Sequence, residues 1–145
     1  MRDDGAVFAF GATEAFSFEA YVNGGDQAGA NAVFGALDRE TTIGWRLLYY
    51  PPGLFACQLL GPSGRYPEVA ADDVPSGWHH VHCVREDGGA VLRIYIDGAL
   101  VASSTLEPVD VTNPAPLVIG NTEFGVLGDS QWFVGDIDEV RVTSP

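Results

Sequence analysis

"GWHHVHCVREDGG", residues 77–89, gathers all three histidines of the chain and one of its two cysteines into five positions. Side chains alternate across a strand, so period two puts His80 and His82 on one face with Trp78 and Val84. His79 falls on the other face with Val81 and Cys83. Three imidazoles divided in this way cannot converge on one ion. A His80/His82 pair needs a third ligand from another strand, and the sequence names none, which favours packed or hydrogen-bonded histidine over zinc or nickel. The stretch therefore reads as a strand, Trp78–Arg85, that ends in a turn at Asp87-Gly88-Gly89.

Downstream, "AVLRIYIDGALVASSTL" places Asp97-Gly98 between two apolar runs. That dipeptide suits a two-residue type I′ hairpin, in which both positions need positive φ. Three consecutive antiparallel strands follow: Trp78–Arg85, Val91–Ile96 and residues 100–104. Upstream, "AFSFEAYV" alternates, with Phe16, Phe18, Ala20 and Val22 on one face and Ser17, Glu19 and Tyr21 on the other, as in a strand with one face in a core. "AVFGAL" and "GWRLLYYPPGLFACQLLG" are continuous apolar runs, the second broken by Tyr50-Pro51-Pro52-Gly53 into a hairpin. Near the end, "WFVGDIDEVRVTS" slips in period: Phe133 and Ile137 are in phase, Val140 and Val142 are not. One extra residue at Asp138-Glu139, a β-bulge, restores both faces. No segment supports a helix longer than a turn. The fold expected is all-β, a two-sheet antiparallel β-sandwich.

The chain has 145 residues, the size of one domain, so 1–145 is read as a single unit. Seven basic residues, all arginine, against 20 acidic ones give a net charge of −13. Such a surface repels nucleic acid and anionic lipid. No run approaches the ~20 apolar residues of a membrane helix, and "MRDDGAVFAFG" carries acids where an export signal has basic residues, so neither membrane insertion nor a signal within this chain is expected. Cys57 and Cys83 match no zinc or redox spacing. They leave two alternatives open, one disulfide or two buried thiols, since bridging requires Cα atoms within about 7 Å.

The phrases "FSFEAYV", "SGWHHVHCVRE", "LRIYIDGALVASSTL", "PLVIGN" and "FVGDIDEVRV" together resemble, in order and spacing over residues 16–142, the laminin G-like, concanavalin A-like jelly-roll modules. The resemblance implies a curved sandwich of roughly a dozen strands, used as a non-catalytic module of secreted and surface proteins. Members bind glycans or proteins, often with a calcium ion at the rim. It also implies a larger parent chain, because "GAVFAF" is shorter than the family's first strand, and a secreted or cell-surface location. Trp78 and His80 become structural markers of their strand. The first and last strands of the fold run side by side, so Glu19 and Arg141 are expected to form an ion pair.

Glycosidases of this fold carry a Glu-x-Asp-x-x-Glu strand, which supplies carboxyl groups about 5 Å apart. None of the eight glutamates has Asp two positions later. No Gly-x-Ser-x-Gly elbow or phosphate loop occurs either, and no catalysis is expected. Calcium would need oxygen ligands on rim loops. The candidates are Asp26 and Asn31 in one loop, Asn121, Glu123 and Asp129 in another, and foremost the bulge acids Asp136, Asp138 and Glu139. A glycan surface needs exposed aromatics: Trp45, Tyr50, Tyr66 and Trp132 are the candidates. The function expected is a binding or adhesion module for a glycan or an extracellular protein. A calcium ion on the rim acids, or no ion with those acids as turn formers and solvated charges, are the two alternatives for a cofactor, and no other is expected. A glycan-active enzyme and a purely structural spacer are the alternatives.

Overall fold

A computed structural model describes residues 8–25, 31–38, 40–64, 66–86, 88–120 and 131–145. The strands are β1 (Phe16–Gly24), β2 (Asn31–Leu37), β3 (Gly44–Tyr50), β4 (Leu54–Leu60), β5 (Glu68–Ala71), β6 (Trp78–Arg85), β7 (Val91–Ile96), β8 (Ala99–Thr105), β9 (Val118–Ile119), β10 (Gln131–Trp132) and β11 (Gly135–Thr143). A single 3-10 turn, Pro62–Gly64, is the only helical piece with an assigned span among the described residues. One sheet has five strands in the order β11-β1-β6-β7-β8. The other has six, in the order β10-β2-β3-β4-β5 with β9 also on β2. Among the described residues pairing is antiparallel except for the short parallel β10–β2 ladder.

The expected β-sandwich is therefore present, and its strands follow the pattern of side chains. β1 alternates as read, with Phe16, Phe18, Ala20 and Val22 buried. β2, β3 and β4 sit inside the six-stranded sheet and are buried on both faces, which is why their sequences run apolar without alternation. Between the sheets, Phe18, Val81, Cys83, Leu92 and Ile94 meet Phe34, Trp45, Leu47, Cys57 and Leu59. At full burial each such side chain contributes about 1.5–3 kcal/mol.

Both ends of the Trp78–Arg85 strand are pinned. Asp97 and Gly98 have φ of 52° and 83°, the double positive geometry expected of the hairpin. The Asp97 carboxylate accepts the His80 N–H at 2.9 Å and lies 2.7 Å from His79 Nδ1. At the other end Arg85 is fully buried. It donates to the carbonyls of Glu14, Gly11 and Val109 and lies over the Phe16 ring, which ties residues 11–14 and the link at 109 to the sheet. Burial pushes its pKa down to about 10, so it stays charged at neutral pH. Gly89 has φ of 75°, and a Cβ there would strike the Ala12 carbonyl, so this turn has room only for glycine.

Cys57 and Cys83 form a disulfide with Cα atoms 5.8 Å apart. The strands that carry them, β4 and β6, are separated along the chain by β5 and lie in opposite sheets, so the bond crosses the core instead of joining neighbours in one sheet.

Candidate functional site

The outer face of the five-stranded sheet carries the polar half of each alternating strand. β1 presents Glu19, Tyr21 and Asn23, and β6 presents Trp78, His80 and His82. Register sets Tyr21 opposite His80 and Glu19 opposite His82. On the other side of β1, Asp138 of β11 pairs with Tyr21, and Asp136 with Asn23. On the other side of β6, Tyr95 of β7 pairs with His82. The strand period thus assembles one surface out of four sequence segments.

Along it runs a ladder of rings. Tyr21 and His80 have centroids 4.9 Å apart, His80 and His82 5.8 Å, and His82 and Tyr95 5.8 Å. Glu19 lies between the two imidazoles, with Oε1 3.3 Å from His80 Nε2 and Oε2 3.1 Å from His82 Nε2. The second approach has ion-pair distance but not hydrogen-bond alignment, which leaves His82 Nε2 without a hydrogen-bond partner among the described residues. Burial pushes the His82 pKa down, and the Glu19 charge only partly opposes that.

Beside the ladder is an open groove of about 280 Å³ lined by Tyr21, Trp78, Asp138 and Glu139. Trp78 is 51% exposed and Tyr21 42%. The acids reach the groove because of the bulge. Glu19 pairs with Arg141 and Tyr21 with Asp138, so one residue of β1 faces two of β11, Glu139 and Val140. Glu139 takes a φ of 50°, and Asp138 Oδ1 accepts its N–H at 2.8 Å. The extra residue read from the broken period lies within one position of where it was expected.

Several expected roles need correction. Trp45 is fully buried against Phe16, Phe18 and Phe34, and its Nε1 donates to the Phe8 carbonyl at 2.9 Å, so it is core and offers no ligand surface. Tyr50 ends β3 and is half-buried against Leu48 and Ala56, not on a loop. Tyr66 is exposed as expected but lies ahead of β5, in the other sheet. Trp78, read as a structural marker, is an exposed groove residue. Glu19 and Arg141 are register partners as expected, yet no ion pair joins them. The carboxylate turns to the histidines, while Arg141, 65% exposed, lies 3.9 Å from Glu139. Asn31 is not a rim-loop ligand, because it begins β2 and is buried.

Asp26, Asn121, Glu123, Asp129 and the Trp132 side chain lie outside the described residues. Among the described residues no three His, Cys, Asp or Glu side chains are grouped to hold a metal ion. Tyr21 was not singled out in the sequence. Its signal was there: it falls on the polar face of β1, where an aromatic side chain has no core to enter.

The family model described as the concanavalin A-like lectin/glucanases superfamily, a laminin G type, matches residues 4–144. Among solved structures, the CBM40 of Ruminococcus gnavus IT-sialidase aligns with a TM-score of 0.75 and 13% identity over 90% of this chain and 76% of that one. The same module bound to α2,3 sialyllactose gives 0.72 and 14%, with the same coverage. The botulinum neurotoxin serotype D binding domain gives 0.67 and 17% over 91% of this chain. The chain spans 34% of the length of that domain. Among curated proteins none matches the chain by sequence.

Proposed function

The chain belongs to the concanavalin A-like lectin/glucanase superfamily, and from that premise we propose that it is a non-catalytic module that binds a glycan in the Tyr21–Trp78 groove. The observation that carries this reading is the pair of exposed aromatic rings set beside two carboxylates in one groove. Pyranose rings stack on such faces, and carboxylate oxygens accept sugar hydroxyls. The solved CBM40 bound to sialyllactose supports a glycan as the partner class. A glycosidase acid needs an apolar setting to stay protonated, whereas Asp138 and Glu139 are both exposed. The Cys57–Cys83 disulfide supports a secreted or surface location, where such bonds persist.

A glycan array followed by calorimetry tests the proposal. Binding that Trp78→Ala reduces at least about tenfold is expected. A protein free of glycan binding, or binding that survives Trp78→Ala unchanged, overturns it, and release of reducing sugar from any bound glycan restores the enzyme reading. Calcium at Asp136, Asp138 and Glu139 belongs to the same proposal. The described residues give it carboxylates on one strand without a converging third ligand. A rise in melting temperature with millimolar-range calcium, reversed by chelator, is its test, and an unchanged melting temperature removes it.

A further inference from the structure

The groove is aromatic on one side and acidic on the other, and that pairing selects the charge of what enters. Ring faces of Trp and Tyr carry partial negative charge and attract a cation placed over them. Asp138 and Glu139 complete the lining. Asp138 uses one oxygen on the Glu139 N–H, and among the described residues its Oδ2 has no hydrogen-bond partner. One guanidinium and one imidazole stand nearby. Arg141 lies 3.9 Å from Glu139 and is mostly exposed, and His80 faces Tyr21 but shares Glu19 with His82. Neither pairs with Asp138. The whole chain, at −13, adds to the local negative field. A sugar acid entering here meets two carboxylates and one weakly held guanidinium, whereas a sugar amine meets two rings and an unshared carboxylate oxygen.

Resting on the reading of this groove as the glycan site, we infer that its ligand is an amino sugar with a free, protonated amine. The pyranose lies on Trp78, and the ammonium group lies against the Tyr21 ring and the Asp138 carboxylate. The same chemistry on a lysine side chain is the competing source. It is disfavoured because a flexible alkyl chain leaves the flat indole face without a ring to cover it.

Calorimetric titration at mildly acidic pH compares a glucosamine tetramer, its N-acetylated counterpart, sialyllactose and a lysine tetrapeptide. The free-amine sugar is expected to bind roughly tenfold or more tighter than the N-acetylated one. Added salt should shrink that advantage, because the groove is open. Asp138→Asn, whose amide oxygen can still accept the Glu139 N–H, should weaken binding of the free-amine sugar far more than that of the N-acetylated one and so erase the advantage. Equal or tighter binding of the N-acetylated oligomer or of sialyllactose overturns the inference and leaves the glycan site standing. A lysine peptide that binds tighter than the amino sugar overturns it in favour of a basic protein partner. If no sugar binds, and an array of neutral glycans is silent too, the glycan reading itself fails, and this inference with it.

Discussion

Trp45 and Trp78 are the same side chain put to opposite uses. Trp45 fills the middle of the sandwich with its indole N–H satisfied, whereas Trp78 stands half in solvent beside Tyr21. Trp45→Ala should therefore cost about 3–5 kcal/mol by denaturant unfolding, and Trp78→Ala less than about 0.5 kcal/mol. The reverse order would exchange their roles. His82 makes a different kind of prediction. Its pKa is pushed below the ordinary 6.5 by burial first, with Glu19 opposing and His80 adding to the fall. The unfolded chain then holds this proton at pH values where the folded chain does not. The stability concerned is complete above about pH 6.5 and is lost as pH falls toward the folded value. Urea unfolding near about pH 7.5 and about pH 5 should show that loss in the native protein and a smaller one in His82→Gln. Equal losses would exclude His82 as the cause. Glu19→Gln removes the group that favours the charged ring, so the His82 titration followed by NMR should move lower still. A second loss belongs to Asp38, Asp97 and Asp110, held below the ordinary 3.8 by hydrogen bonds from Thr41, His79 and Thr112 respectively. Their contribution is present above pH 3.8 and disappears on further acidification.

β11 shows what an element adds that its residues do not. Without the bulge, alternation would turn Val140 and Val142 to solvent. With it, both pack against the core, and Glu139 is left in the left-handed region at φ of 50°. A non-glycine residue there costs about 1–2 kcal/mol, so Glu139→Gly should stabilise the protein by about 0.5–1 kcal/mol. Glu139→Val should destabilise it, because a β-branched residue tolerates that φ poorly. A Glu139→Gly protein less stable than the native one would show that the side chain, and not the backbone, sets the bulge. The bulge, the Asp97-Gly98 hairpin and the bounds of β6 and β7 were legible in the sequence because period two and turn chemistry act over a few residues. Trp45 was not, since an aromatic on a strand buried on both faces has the same local pattern as an exposed one. The groove was half legible. Its acids followed from the bulge, but its aromatics depended on which strands flank β1, a pairing that spans most of the chain. The Glu19–Arg141 expectation had the right register and the wrong partner, because histidines on β6 compete for the same carboxylate.

At the scale of the whole molecule, two sheets of different character face each other across one core. The six-stranded sheet is buried on both faces at its centre, while the five-stranded sheet buries one face and offers the other to solvent. Pairing within either sheet does nothing to hold it to the other, so cohesion across the core falls to side-chain packing and to one covalent bond. Cys57 in β4 and Cys83 in β6 form that bond at full burial, with a sequence separation of 26. Closing a loop of that length removes about 3.5 kcal/mol of chain entropy from the unfolded state. Replacing both cysteines with alanine should therefore lower stability by about 2–4 kcal/mol, while the groove proposed to bind glycan, on the outer face, should keep any affinity it has wherever the variant remains folded. Burial adds a kinetic expectation. A reductant reaches the sulfurs only when the sheets part, so alkylation with dithiothreitol present should be slow under native conditions and fast in denaturant, as read by mass. Rapid native reduction would mean that the sandwich opens locally over this bond, and a stability loss well under 1 kcal/mol would mean that packing alone already holds the sheets together.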